Sequence, residues 1–264
     1  MSNSLKGKTV VITGSGRSIG REMAIRIAAE GASVALLEIN KKNLEEVRAT
    51  IAAAGGDVRA YEIDLGSESQ IIETISKVEK DFGKIDCLIN NAMVCPSEDL
   101  LNTTLESWNK TLQITLTAPF LCIRQVLPAM IKRKNGSIIN IGTVNAKAHF
   151  GSDSYSSAKA GVHALTRTVA VRYGPNGIRC NTIVPGTINT DAWQERVDQN
   201  PNIFEELKPW YPLGRVGTPK DIADAALFLI SDDSQWISGS ELLVDGGLLA
   251  GYAPMFGTVE GSDK

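Results

Sequence analysis

Short apolar runs rich in β-branched residues alternate along this chain with longer stretches of helical periodicity, and that alternation leaves few folds open. The runs at 8–13, 33–37, 58–63, 86–90, 137–142, 178–184 and 241–244 read as strands; the stretches at 22–29, 41–54, 67–82, 105–132, 155–173 and 219–230 read as helices. Strands separated by helices pair in parallel, since a parallel pair needs a long crossover, and right-handed crossovers lay helices on both faces of the sheet. The expectation is an α/β fold, a doubly wound three-layer α/β/α arrangement around a seven-stranded parallel sheet. With 264 residues, 43% of them hydrophobic, the chain can bury one substantial core and reads as a single domain over 1–264. Pro119 and Pro128 predict irregularities in the long helix. Residues 187–216, rich in Pro, Asn and Trp without a strand pattern, predict a lid, and 252–264 reads as a tail.

Open parallel sheets bind ligands at the carboxyl ends of their strands. Gly14, Glu38, Asp64, Asn90, Thr143 and Pro185 all stand at or just past those ends. The turn Gly14-Ser15-Gly16-Arg17-Ser18-Ile19-Gly20 joins the first strand to a helix. Glycines there let backbone approach a ligand, and the helix start can hold a pyrophosphate, although an ordinary βα turn has the same look. Glu38, about twenty residues on, stands where a carboxylate accepts hydrogen bonds from an adenosine ribose. Tyr155 and Lys159 are an i, i+4 pair on one helical face, so a phenol lies beside an ammonium. An adjacent cation favours phenolate, and the pair is expected to exchange protons closer to neutral pH than free tyrosine does. Alone the pair is weak, because such neighbours are common on solvated helices; its place on the same rim as the glycine turn gives it meaning.

Composition excludes other classes. A formal net charge of -3 and a pI near 5.6 give no basic surplus, so neither nucleic acid nor an anionic membrane surface is expected as a partner. Cys87, Cys95, Cys122 and Cys180 show no C-x-x-C spacing, and with only His149 and His163 to join them no metal site is expected. The start of the chain lacks a targeting pattern, and the apolar stretch 114–131 is interrupted by Arg124 and Gln125, so the expected location is cytoplasmic, with no membrane span.

Taken together, TGSGRSIG at 13–20, Asn90-Asn91-Ala92-Met93, Tyr155 with Lys159, and GRVGTPKDIADAALFLISDDSQWISGSELLVDGG near the end make the chain resemble the short-chain dehydrogenases/reductases of compact single-domain type. The likeness runs from about Lys6 to Gly247. It implies a Rossmann-type fold, an oxidoreductase, and Tyr155 as general acid/base with Lys159 lowering its pKa and holding the nicotinamide ribose. Thr143 takes the place of the family's substrate-orienting serine; Gly142 is the literal match at the commonest spacing but has no hydroxyl. Thr115, seven residues after Trp108, stands where the family has an asparagine in its proton relay. Ser18 and Met93 replace family glycines, and the Ser18 hydroxyl is expected to meet a phosphate or cap the helix.

The resemblance also implies the remaining contacts. Gly14, Ser15, Arg17, Ser18, Ile19, Gly20, Glu38, Ile39, Asp64, Leu65, Asn91, Ala92, Pro185, Gly186, Ile188 and Thr190 would line the dinucleotide, with Ile39 over the adenine and Asp64 near its amino group. Val94, Cys95, Asn145, Phe150, Thr187, Trp193 and Trp210 would wall a pocket for a small alcohol or ketone, the tryptophans being equally suited to packing the lid. Glu38 favours NAD by repelling a 2′-phosphate, Arg17 is the kind of residue that favours NADP, and NAD is the expected cofactor. Relatives form homotetramers, and the same is expected here. The leading function is reversible oxidation of a secondary alcohol to a ketone. The alternatives are an NADPH-dependent ketoacyl-type reductase and a non-catalytic nucleotide-binding protein of this fold; enoyl reductases of the fold usually separate Tyr and Lys more widely.

Overall fold

The computed structural model describes residues 5–260. Its strands are β1 (Thr9–Thr13), β2 (Ser33–Glu38), β3 (Val58–Glu62), β4 (Cys87–Asn90), β5 (Gly136–Ile141), β6 (Ile178–Pro185) and β7 (Glu241–Val244). They form one sheet in the order β3-β2-β1-β4-β5-β6-β7 with every neighbour parallel, the doubly wound arrangement that the alternation predicts. The helices are α1 (Ser18–Ala29), α2 (Lys41–Ala53), α3 (Glu68–Phe82), α4 (Leu105–Leu112), α5 (Ala118–Arg133), α6 (Asp153–Tyr173), α7 (Gln194–Gln199), α8 (Ile203–Leu207), α9 (Pro219–Ile230) and α10 (Ala253–Glu260).

The pleat divides each central strand between two cores. Val10 and Ile12 of β1, with Val34 and Leu36 of β2, face the layer that contains α1 and α9; Val11, Ala35 and Leu37 face the layer of α3 and α5. Because both faces are covered, the strands read as continuous apolar runs rather than alternating ones. Helix starts follow their caps: Asn40, Ser67 and Thr104 accept from the backbone N–H groups of Asn43, Gln70 and Ser107, and Thr218 with Asp221 forms a capping box on α9. The start of α1 has no side-chain cap.

Three details differ from the expectation. The long helix is irregular one turn before Pro119: Gln113–Thr117 widens into a π-helical turn, and the Ala118 N–H donates to the Gln113 carbonyl five residues back. Pro119 has no N–H to offer the preceding turn, and the extra residue absorbs the mismatch, whereas Pro128 sits inside α5 with no break. Residues 253–260 of the expected tail form α10, which packs on the turn at 208–210; residues 261–264 lie outside the described ones. By length and composition Leu105–Arg133 could cross a membrane despite Arg124 and Gln125, but 50% of its most apolar window is buried, with Leu121, Cys122, Val126 and Met130 in the core.

Cys87, Cys122 and Cys180 are buried, which pushes their thiols up to about 12, and Cys95 alone is exposed. Leu36 is fully buried in β2, between β1 and β3. Truncating Leu36→Ala is expected to lower unfolding free energy by about 2–5 kcal/mol, measured by urea denaturation; a loss below about 1 kcal/mol would show that the layers repack around the gap.

Candidate active site

The glycine turn is closed to β-carbons where it matters. Gly14 has φ +63, and a β-carbon there would lie 2.9 Å from the Ala92 Cα; one at Gly20 would lie 2.0 Å from the Gly14 carbonyl oxygen. Asn91 fastens this corner to β4, its amide donating to the Thr13 and Gly14 carbonyls at 3.1 and 2.9 Å. The side-chain amide of Asn91, expected beside the dinucleotide, is thus bonded to backbone. The Ser15 hydroxyl donates inward to the Leu37 carbonyl at 3.3 Å, so the side chain expected on the dinucleotide serves β2 instead. Ser18 adopts φ +49, the left-handed conformation its glycine counterparts take at no steric cost. Its hydroxyl neither caps α1 nor stays free: it donates to the Asp191 carboxylate of the lid at 3.3 Å. An uncapped helix start beside a closed glycine corner fits a pyrophosphate, so the residues present suit a dinucleotide.

Around that corner, Glu38 accepts from the Gly16 N–H with one oxygen and from the Ile39 and Asn40 N–H groups with the other, all at 3.0 Å. Ile39 is 63% exposed beside it, and Arg17 is exposed at the head of α1. Asp64 accepts from the Gly66 N–H at 2.8 Å, with Leu65 buried next to it. Across the sheet, Pro185 ends β6 and the Gly186 N–H donates to the Val244 carbonyl at 3.2 Å. Ile188 makes an isolated parallel bridge to Gly217 and puts its side chain in the core, while Thr190 stands at the head of the turn Asp191–Trp193.

The second half of the site forms where β5 ends. At Gly142 a β-carbon would lie 2.4 Å from His163 Nε2 and 2.6 Å from the Thr182 methyl carbon, which leaves no space for a side chain. The hydroxyl at this corner is therefore that of Thr143, buried and in exchange with Asn145 at 3.3 Å. Lys159 is 2% exposed and donates to the Ile141 carbonyl at 2.5 Å, with its nitrogen 5.6 Å from the centre of the Tyr155 ring. Burial pulls the Lys159 ammonium down to about 8. Burial also pushes the Tyr155 phenol well above its ordinary value, Cys95 adds to the rise, and the Thr143 hydroxyl opposes it. The shift runs opposite to the direction expected from the i, i+4 spacing: loss of solvation is its largest cause, and the phenol keeps its proton.

Thr115 is fully buried in the π-helical turn, accepting from the Val94 N–H at 3.1 Å and donating to the Val94 carbonyl at 3.3 Å. Its hydroxyl thus holds the segment after β4. Among the residues expected to meet the substrate, the Cys95 thiol lies 3.4 Å from the Ser152 hydroxyl, Asn145 donates to the Gly151 carbonyl at 3.0 Å, and Phe150 is half exposed. The segment expected to be a lid carries α7 and α8. Trp193 packs on Phe204 with ring centres 5.7 Å apart under the Arg196 guanidinium, and Arg196 donates to Ser97 at 3.1 Å. Trp193 therefore packs within its own segment, against α8, and Trp210 is 47% exposed. Sequence reasoning missed Tyr211, which is buried and accepts from the Thr187 N–H at 2.9 Å; nothing but its place two residues before Leu213-Gly214 could have marked it. It also missed Asp191, whose only signal was an acid directly after Thr190.

Comparison with known proteins agrees with this geometry. A family model described as enoyl-(acyl carrier protein) reductase matches residues 14–249. A crystal structure of an oxidoreductase of the short-chain dehydrogenase/reductase family from Burkholderia thailandensis superposes with a TM-score of 0.90 at 38% identity, covering 97% of this chain and 98% of that one. The chain belongs to the short-chain dehydrogenase/reductase family. Within it, the chain is 35% identical over 252 residues to 2,5-dichloro-2,5-cyclohexadiene-1,4-diol dehydrogenase LinX of Sphingobium indicum, covering 95% of this chain and 100% of that one. A Beutenbergia cavernae protein assigned as an NAD(P)-dependent gluconate 5-dehydrogenase, solved with NADP at low occupancy, superposes with a TM-score of 0.90 at 29% identity, covering 95% and 100% of the two chains.

Among short-chain dehydrogenases/reductases, the departure at Ser18 has a measurable consequence here. Replacing Ser18→Gly relieves a left-handed backbone at a cost of one hydrogen bond to the lid. The relief is worth about 1 kcal/mol and the exposed hydrogen bond less, so the variant is expected to melt slightly above the parent in a thermal scan. A fall in melting temperature would show that the tie to Asp191 outweighs the strain.

Proposed function

We propose that this protein interconverts a secondary alcohol and a ketone, with a nicotinamide dinucleotide as the redox partner. The observation that carries the reading is the convergence of Tyr155, Thr143 and Lys159 at the end of β5, on the rim that also carries the closed glycine corner of β1. The dinucleotide supplies the hydride acceptor or donor at its nicotinamide ring. Thr143 holds the substrate oxygen, and Tyr155 Oη takes the hydroxyl proton during oxidation and returns it during reduction. Lys159, the buried cation on the same face of α6, favours the phenolate form that oxidation needs. The i, i+4 spacing of Tyr155 and Lys159 supports chemistry on C–O rather than on a carbon–carbon double bond, whatever the description of the matching family model. LinX, a diol dehydrogenase by name, supports a secondary alcohol as substrate class.

For the cofactor we infer a preference for NAD over NADP. The Glu38 carboxylate lies against the Gly16 N–H, where a 2′-phosphate would meet its negative charge, and the exposed Arg17 is the counterweight. Fluorescence titration with NADH and NADPH in parallel is expected to give tighter NADH binding. Tighter NADPH binding would mean that Arg17 outweighs Glu38, as the NADP-bound relative allows.

Two kinetic outcomes follow from the assignment of Tyr155. The variant Tyr155→Phe is expected to lose at least about 100-fold in turnover while its dinucleotide affinity stays near that of the parent. Oxidation needs phenolate and should rise with pH, whereas reduction needs phenol and should fall; flat profiles in both directions with chemistry rate-limiting would refute the role.

A further inference from the structure

Tyr155 and Lys159 are the first two members of a longer stripe. His163 and Arg167 follow at the same spacing of four, so a phenol, an ammonium, an imidazole and a guanidinium stand one above another along α6. His163 is 4% exposed. Its Nδ1 lies 3.3 Å from a Glu241 oxygen at the head of β7, and the same carboxylate is paired with Lys147 and accepts from Arg167 at 2.6 Å. With Nδ1 donating to Glu241, Nε2 carries a lone pair, and it is buried with no hydrogen-bond partner among the described residues. That nitrogen abuts Gly142, between Ile141, whose carbonyl seats Lys159, and Thr143, whose hydroxyl acts on Tyr155.

We propose that His163 is a positioning residue for this active site: braced by Glu241, its imidazole fills the space over Gly142 and fixes the strand end that places Lys159 and Thr143 around Tyr155. An apolar side chain would fill the same space without leaving a nitrogen unpaired, but it would have no hold on β7. The brace explains why residue 142 is glycine, and it makes the edge strand a part of the catalytic corner. The charged groups facing His163 are Glu241 from β7, Lys147 from the segment after Thr143, and Lys159 on α6, with Arg167 on the far side of Glu241. Burial is the first cause that holds the imidazole below its usual pKa, with Lys147 and Lys159 adding to it and Glu241 opposing. His163 is thus neutral near pH 7 and leaves Lys159 as the cation beside Tyr155. The unfolded imidazole titrates near ~6.5, above the folded one, so this neutral brace contributes fully above that pH and is lost as pH falls below it.

The kinetic part of the inference rests on the alcohol–ketone reading; the geometric part does not, and the test separates them. The chain has two histidines, so His149→Gln leaves His163 as the one imidazole in a ¹⁵N-histidine spectrum of the full-length protein. The expected spectrum shows Nδ1 protonated and Nε2 unprotonated, with imidazolium forming only at a pH below that at which the same histidine titrates in the urea-unfolded chain. In His163→Leu, the ammonium titration of Lys159, followed by lysine NMR, is expected to move, and kcat for alcohol oxidation to fall about ten- to hundredfold with KM little changed. His163→Gln, which can still donate to Glu241, should recover most of that loss. Should the leucine variant not fold, Glu241→Gln carries the test, with the same shift in Lys159 expected. A folded His163→Leu with the parent's Lys159 titration and pH profile overturns the proposal. Absence of turnover by the parent on secondary alcohols and ketones would sink the alcohol–ketone reading, and the Lys159 titration would still decide the role of His163.

Discussion

Parallel strands cannot be joined by a tight turn, and the rest of this structure depends on that constraint. Each of the first six strands has to leave the sheet at the same edge and return through a helical or lid segment, so their carboxyl ends collect on one rim. Residues far apart in the chain therefore become neighbours: Ser18 touches Asp191, and Asn91 holds the carbonyl of Gly14. The site is a product of topology first and of side-chain chemistry second.

Electrostatics in the corner around Tyr155 and Lys159 is governed by burial. Lys159 has almost no contact with water, and a carbonyl rather than a carboxylate receives its ammonium. Removing water penalises the charged form of both members of the pair, which is why the phenol moves up and the ammonium moves down together. Positive charge supplied by a bound oxidised nicotinamide would act in the direction opposite to desolvation of the phenolate. The resting corner is in this sense uncommitted, and Thr143 is the protein group that already pulls the phenol back.

The departures from the family pattern have local physical accounts. Thr115 cannot reproduce an asparagine side chain, yet its single hydroxyl both accepts from and donates to Val94, and the π-helical turn positions it to do so. Ser18 adopts a left-handed backbone that suits glycine and turns its hydroxyl toward Asp191. Gly142 is confined by His163 and Thr182, so the shorter spacing between strand end and Tyr155 leaves the hydroxyl on Thr143.

The sequence by itself determined the layers, the strands and the rim, because periodicity and strand-ending residues are local signals that parallel topology turns into one place. It also marked Tyr155, Lys159 and the glycine turn, whose spacings are rigid consequences of helix and turn geometry. It could not assign partners across the sheet. Whether Ser15 faces a ligand or Leu37, whether Asn91 serves ligand or backbone, and that Tyr211 anchors Thr187 depend on which side chains crossovers bring within about 3 Å, a distance that composition and periodicity do not encode. The direction of the Tyr155 shift was equally out of reach: spacing tells which charge is near, while the loss of solvation that raises the phenol is set only when the layers close.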